Sequence, residues 1–218
     1  MLNTDPQRSC HHIIHASPPF WLTASYAPRR GAPSHAEALC LYLSGNEKAF
    51  CGYFSRLDAM IEGAYASAPP ARICHNVHAN DFDFRDAHAI DGELRFLFLT
   101  GYAAADHRLV MRKGAPVKIA HQQTVAADFS RLPFELTVDE KIYDTYLQVR
   151  ADAGLFAFAD TLEVINRQWD QHRLDQELAQ AIASLPETVA HTDDLPINQI
   201  AIYDPEFRQW NFAAREEE

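Results

Sequence analysis

The sequence predicts an α+β fold: a central, mostly antiparallel sheet over about residues 72–126, with helices from the N-terminal and C-terminal segments packed on it. Three observations carry this. Apolar residues recur every three or four positions before residue 67 and again from 138 to 186. Between those stretches the period falls to about two. An Asp91-Gly92 pair, a dipeptide that adopts positive φ at low cost, stands between strand-like runs and reads as a hairpin turn. The 218 residues are expected to form one domain: a helical segment 35–67, a β-meander 72–126, a helical segment 138–186 and a tail 187–218.

In chain order, Phe20, Leu22, Ala24 and Tyr26 alternate with Trp21, Thr23 and Ser25, which predicts a strand. Ser34 with Glu37, and Ser44 with Glu47, have capping-box spacing. They are read as openings of two helices, one through Leu39, Leu41 and Leu43, the next along Phe50, Phe54, Leu57, Ile61 and Tyr65 as far as Pro69 and Pro70. The strand from Glu93 to Thr100 is apolar on both parities, so it needs cover on both faces and belongs at the centre of the sheet. Strands are expected near Arg108 to Lys113 and Val117 to Val125, separated by Gly114 and Pro116. Thr137 and Glu140 open a helix punctuated by Gly154, and a longer one carries Leu155, Phe158, Leu162, Ile165 and Trp169 towards Pro186. Ile200 to Tyr203 reads as a late strand, with Phe207, Trp210 and Phe212 as aromatic anchors for the tail.

Composition narrows the classes. A hydrophobic share of 47% and a charged share of 22% are those of a globular chain. Thirty acidic against nineteen basic residues give a net charge of -11, which repels phosphate and anionic lipid and argues against generic nucleic-acid or membrane binding. No secretory signal or bilayer-length apolar run is evident, so a cytoplasmic location is expected. Cys10, Cys40, Cys51 and Cys74 are read as reduced thiols, with Cys40 and Cys51 as small buried hydrophobes.

The densest chemistry is the run Cys74 to Ile90, with three imidazoles, three carboxylates and a thiol before the turn. His75, Asp81, Asp83 and His88 are the candidate ligands for a divalent metal, since each offers a lone pair when deprotonated, although no known ligand spacing is matched. Cys10 and His12 with Cys74 and His78 form a second, zinc-like combination. As one strand, the run from His75 to Arg85 would split by parity: His78, Asn80, Phe82 and Phe84 inward, His75, Asp81, Asp83 and Arg85 outward. In the strand Val117 to Val125, His121 and Gln123 share parity with Val117, Ile119 and Val125, while Lys118, Gln122 and Thr124 face away. Buried polar groups need partners, so His78, Asn80, His121 and Gln123 either bond within the core or converge on a pocket.

Phosphate-loop, Rossmann, nucleophile-elbow and zinc-protease patterns do not occur, and His191-Thr192-Asp193 lacks a following histidine to complete a facial triad. The leading functional expectation is a cytoplasmic protein that binds a small molecule, peptide or protein partner in a pocket or along the hairpin's sheet edge. The first alternative is a small enzyme with His78 or His121 as general base, Asn80 and Gln123 contacting the ligand, and a divalent metal as its candidate cofactor. The second is an acidic inhibitor of a basic protein.

Overall fold

A computed structural model describes residues 14–27, 35–42, 47–67, 74–86 and 92–215. Expectations placed on Cys10, His12, Ser34, Leu43, Ser44, Pro69, Pro70, His88 and Asp91 lie outside these residues. The chain runs β1 (Ile14–Ser17), β2 (Trp21–Ala27), β3 (His35–Ala38), β4 (Cys40–Tyr42), β5 (Lys48–Tyr53), α1 (Arg56–Ala66) and β6 (Cys74–His78). It continues through β7 (Glu93–Ala105), β8 (Arg108–Arg112), β9 (Ala115–Pro116), β10 (Lys118–Ala126) and β11 (Phe134–Thr137). Then follow α2 (Glu140–Asp152), α3 (Phe158–Arg167), α4 (Gln171–Ala183), β12 (Thr188–Ala190), β13 (Gln199–Asp204) and β14 (Gln209–Ala214). This is an α+β fold whose large sheet is mostly antiparallel.

Strand β7 is the spine of that sheet, pairing with β5, β10, β8 and β13. Its double-sided apolar character explains why: Leu94, Phe96 and Phe98 on one face and Leu99 on the other are all buried. On the Phe96 side, Phe20, Phe50 and Phe84 meet that ring edge to face or tilted, at centroid distances from 5.6 to 5.7 Å, and Phe82 packs edge to face on Phe84 and Phe50. Phe98 stacks on Phe54 at 5.2 Å. Gly52 makes this close packing possible, because a Cβ there would sit 2.7 Å from the Phe98 ring. The turn between β7 and β8 is made by Asp106 and His107, both at positive φ, the geometry of a two-residue hairpin.

Two expectations are corrected in the N-terminal third. Within the helical segment 35–67 only Arg56–Ala66 is helix; His35–Ala38, Cys40–Tyr42 and Lys48–Tyr53 are strands. Strand β5 is buried on both faces, so it reads as a continuous apolar run whose spacing fits a helix equally well. The helix begins instead at Ser55, whose side chain accepts from the Leu57 N–H. Secondly, β6 and β7, on either side of the expected Asp91-Gly92 hairpin, do not pair with each other; β6 pairs with β2. The hairpin expected to offer its edge strand to a peptide is therefore not formed between these two strands.

The C-terminal segments follow the sequence more closely. Asp139 caps α2 in place of Thr137, accepting from the Lys141 N–H, and Gly154 ends the helical stretch at positive φ. The long helix expected after Gly154 is two, because the Asp170 side chain accepts from the Arg173 N–H and starts α4 afresh. Trp210 anchors the last hairpin by donating to Ala181 O at 3.0 Å, whereas Phe207 is 75% exposed. Among the described residues no helix is long and apolar enough to cross a membrane.

Candidate ligand site beneath the first helix

Strand register decides the fate of the predicted His-centred pocket. One row across the sheet reads Val77, Leu22, Gly52, Phe98, His121, and the neighbouring row begins His78, Trp21, Tyr53. Adjacent rows point to opposite faces, so His78 and His121 lie on different faces and four strands apart, about 19 Å along the sheet. Three of the four residues are engaged locally. His78 Nδ1 accepts from the Asn80 N–H and its ring meets Trp21 edge to face; Asn80 Oδ1 accepts from the Ala16 N–H. Gln123 donates to Thr137 O and accepts from the Asp139 N–H, tying β10 to the start of α2. His121 is half-buried beside Phe98.

Of the candidate metal ligands, His75, Asp81 and Asp83 lie among the described residues and are not brought together. Strand β6 ends at His78, and the chain continues through short 3-10 turns at Ala79–Asp81 and Phe84–Asp86 rather than as one strand. Phe82 and Phe84 still reach the core, while Asp81 is exposed and Asp83 is held by Arg85 in a two-point ion pair. That guanidinium holds the Asp83 carboxyl below its usual range. His75 is exposed on β6. Among the described residues no three His, Cys, Asp or Glu side chains are grouped to hold a metal.

The chemistry the structure does assemble lies under α1. That helix rests on the sheet face bearing Thr23 and Asn76: Thr23 Oγ1 donates to Ala59 O, and Gly63 brings the helix close to Thr23 and Cys74. The same face carries Tyr53 and Cys51 of β5, because Tyr53 pairs with Trp21. A β-bulge then adds Tyr102. Ile119 faces Gly101 and Ala120 faces Leu99, so Thr100 is the extra residue and Tyr102 is turned to the face of Leu99 and Lys118. Thr100 O, opposite no residue of β10, accepts from Arg150 Nη1 at 3.0 Å.

Onto this face α1 presents Asp58, Glu62 and Tyr65, positions i, i+4 and i+7 of one stripe. Lys118 Nζ pairs with Glu62 Oε1 at 2.6 Å, and Arg150 Nη2 with Asp58 Oδ2 at 2.8 Å. Tyr146 donates to the same Asp58 oxygen at 3.1 Å, and its ring lies 3.4 Å beneath the Arg150 guanidinium. Arg150 is 2% exposed and Glu62 4%. Four oxygens in this group are shut off from solvent without a hydrogen-bond partner among the described residues: Glu62 Oε2 and the hydroxyls of Tyr53, Tyr65 and Tyr102. Tyr53 has the Cys51 thiol beside it, a weak partner that does not meet hydrogen-bond geometry.

Burial sets the electrostatics. It pushes the Tyr53 and Tyr102 hydroxyls well above their usual range, with the Glu62 carboxylate adding to both, and it raises Tyr65 to about 12. The Cys51 thiol is pushed up to about 11, again chiefly by burial. Asp58 titrates above its usual value because desolvation outweighs the opposing pull of Arg150 and Tyr146. All three phenols therefore stay protonated near neutrality, each with an O–H to donate and lone pairs to accept.

Sequence reading missed this group, although a signal was present. Asp58 and Glu62 flank Ile61 in a helix with seven consecutive buried residues, and a carboxylate in such a helix must have a partner. Tyr146 and Arg150 repeat the i, i+4 spacing on α2. Lys118 was read as facing away from His121, and it does; the face it turns to lies under α1 rather than in solvent. No protein-family model, curated protein or solved structure matches this chain.

Proposed function

We propose that the protein binds a small, uncharged, hydrogen-bonding molecule in the core beneath α1, admitted past Lys118 and Tyr65. The observation that supports this is the gathering of three phenol oxygens and a carboxylate oxygen around Glu62, all buried and none bonded to a described residue. Leaving a polar group buried without a partner costs about 1–3 kcal/mol, so four in one place weigh heavily on a fold and make sense as contacts kept for a ligand. The charge balance supports an uncharged occupant: Asp58 and Glu62 are matched by Arg150 and Lys118, and a net charge added there would stay uncompensated. Lys118, 19% exposed, and half-buried Tyr65 mark the side nearest solvent.

The reading keeps the expected class, a ligand-binding protein, and moves its centre from His78 and His121 to Glu62, Tyr53 and Tyr102. It is tested by thermal unfolding with small polyols, primary amides and monosaccharides at millimolar concentration. A saturable rise in Tm for the wild type that disappears in Tyr102→Phe is the expected result. Saturation at millimolar concentration separates binding from the unsaturable stabilisation given by excluded osmolytes. A panel that shifts neither protein, or shifts both equally, overturns the proposal.

A further inference from the structure

The opposite side of α1 borders a second site. A cleft of about 340 Å³ opens between α1, β6 and α4, lined from the helix by Arg56, Met60 and Gly63, whose stripe points away from Glu62. That volume lies at the small end of the range for ligand pockets, about 300–1,000 Å³. Asn76 fixes the cleft's base: its amide, oriented to donate to Ala59 O at 3.2 Å and accept from Met60 N at 3.3 Å, joins β6 to α1.

Opposite charges stand on two walls, Arg56 on α1 and Asp175 on α4. Arg56 Nη2 donates to Gln171 Oε1 at 2.7 Å, and Gln171 Nε2 donates to Asp175 Oδ1 at 2.8 Å. Gln171 and Asp175 are one turn apart on α4, so the glutamine amide holds the cation and the carboxylate in a fixed order without letting them meet. Neither Arg56 nor Asp175 makes an ion pair with a described residue. Arg56 is braced further by the Trp21 ring, 5.2 Å from its guanidinium carbon, and its Nε is buried with no partner among the described residues. Met60 and Leu178 supply apolar surface in the same cleft.

A separated cation and anion beside apolar surface complement a ligand that carries both charges and an apolar group. We infer that this cleft binds a free α-amino acid with an apolar side chain of middling size. Its carboxylate is taken by Arg56, its ammonium by Asp175, and its side chain lies against Met60 and Leu178. Arginine suits the carboxylate because its planar fork offers two parallel donors.

Isothermal titration calorimetry with L-methionine and L-leucine tests this, alongside methionine's decarboxylated amine and its deaminated acid. The expected result is saturable binding of the amino acids, about tenfold weaker binding of either single-charge analogue, and a loss of about tenfold in Asp175→Asn or Arg56→Met. Asp175 is exposed, so its variant retains the fold, which an unchanged unfolding midpoint checks. Absence of saturable heat for both amino acids, analogues that bind as well as methionine, or affinity unchanged in Asp175→Asn each overturns the inference. Tyr102→Phe is expected to leave amino-acid binding intact, which keeps this test separate from that of the site under Glu62.

Discussion

Arg150→Met should be among the most damaging single substitutions in the protein. The guanidinium is 2% exposed and serves four groups at once: it pairs with Asp58 Oδ2, donates to Thr100 O and to Tyr146 O, and packs over the Tyr146 ring. Methionine fills most of the volume but leaves the Asp58 carboxyl facing the Tyr146 hydroxyl alone, and it strips the bulge carbonyl of its donor. Removing one partner of a buried ion pair costs about 3–5 kcal/mol. With a slope of about 2–4 °C per kcal/mol for a chain of this size, Tm should fall by about 6–20 °C. Equilibrium urea unfolding gives the free energy directly and calorimetry the midpoint. The double variant Asp58→Leu with Arg150→Met removes both charges, and it should recover more than half of the loss. A single variant that loses under about 1 kcal/mol, or a double variant no better than the single, would refute the assignment of Arg150 as the counter-charge that makes Asp58 tolerable in the core.

Two more outcomes follow from the same group of residues. Asp58 has a folded-state pKa above its unfolded value, so its contribution to stability is present in full below the unfolded pKa and is lost as the pH rises through the folded one. Urea titrations of wild type and Asp58→Asn from about pH 4 upwards should therefore show the difference moving in the variant's favour, and a constant difference would contradict the raised pKa. Cys51, with its thiol pushed up to about 11, is about 0.1% thiolate at pH 8, so brief alkylation of native protein followed by peptide mass spectrometry should find it unmodified. Modification of Cys51 at the rate of an unfolded control would show that the core under α1 opens readily.

The frame of the fold was legible where one physical demand dominated. The strand from Glu93 to Thr100 had to be central because both of its faces are apolar, and it is. Strand β5 was misread for the same reason, since a run buried on both faces carries no period to distinguish strand from helix. The inward turn of Phe82 and Phe84 was correctly expected, although 3-10 turns rather than a strand deliver it. The candidate pocket failed on a long-range quantity. Parity says which way His78 and His121 point along their own strands, and only register says that three strands lie between theirs. Tyr102 was beyond reach for a related reason: the bulge at Thr100 turns it under α1, and an extra residue in a ladder is defined only by the partner strand. Glu62 and Asp58 were more accessible, because carboxylates on the buried stripe of a helix announce unseen partners even when those partners cannot be named.

In the proposed function the polar oxygens around Glu62 serve a ligand and not the fold. Equilibrium urea unfolding of Tyr102→Phe against the wild type, both without added ligand, tests it most directly. With its hydroxyl buried and bonded to no described residue, the wild type carries a burden the variant lacks. The variant is expected to be more stable by about 1–3 kcal/mol, with an unchanged slope. A variant equal to or less stable than the wild type would mean that the hydroxyl is already satisfied within the folded protein, and the group under α1 would be part of the scaffold.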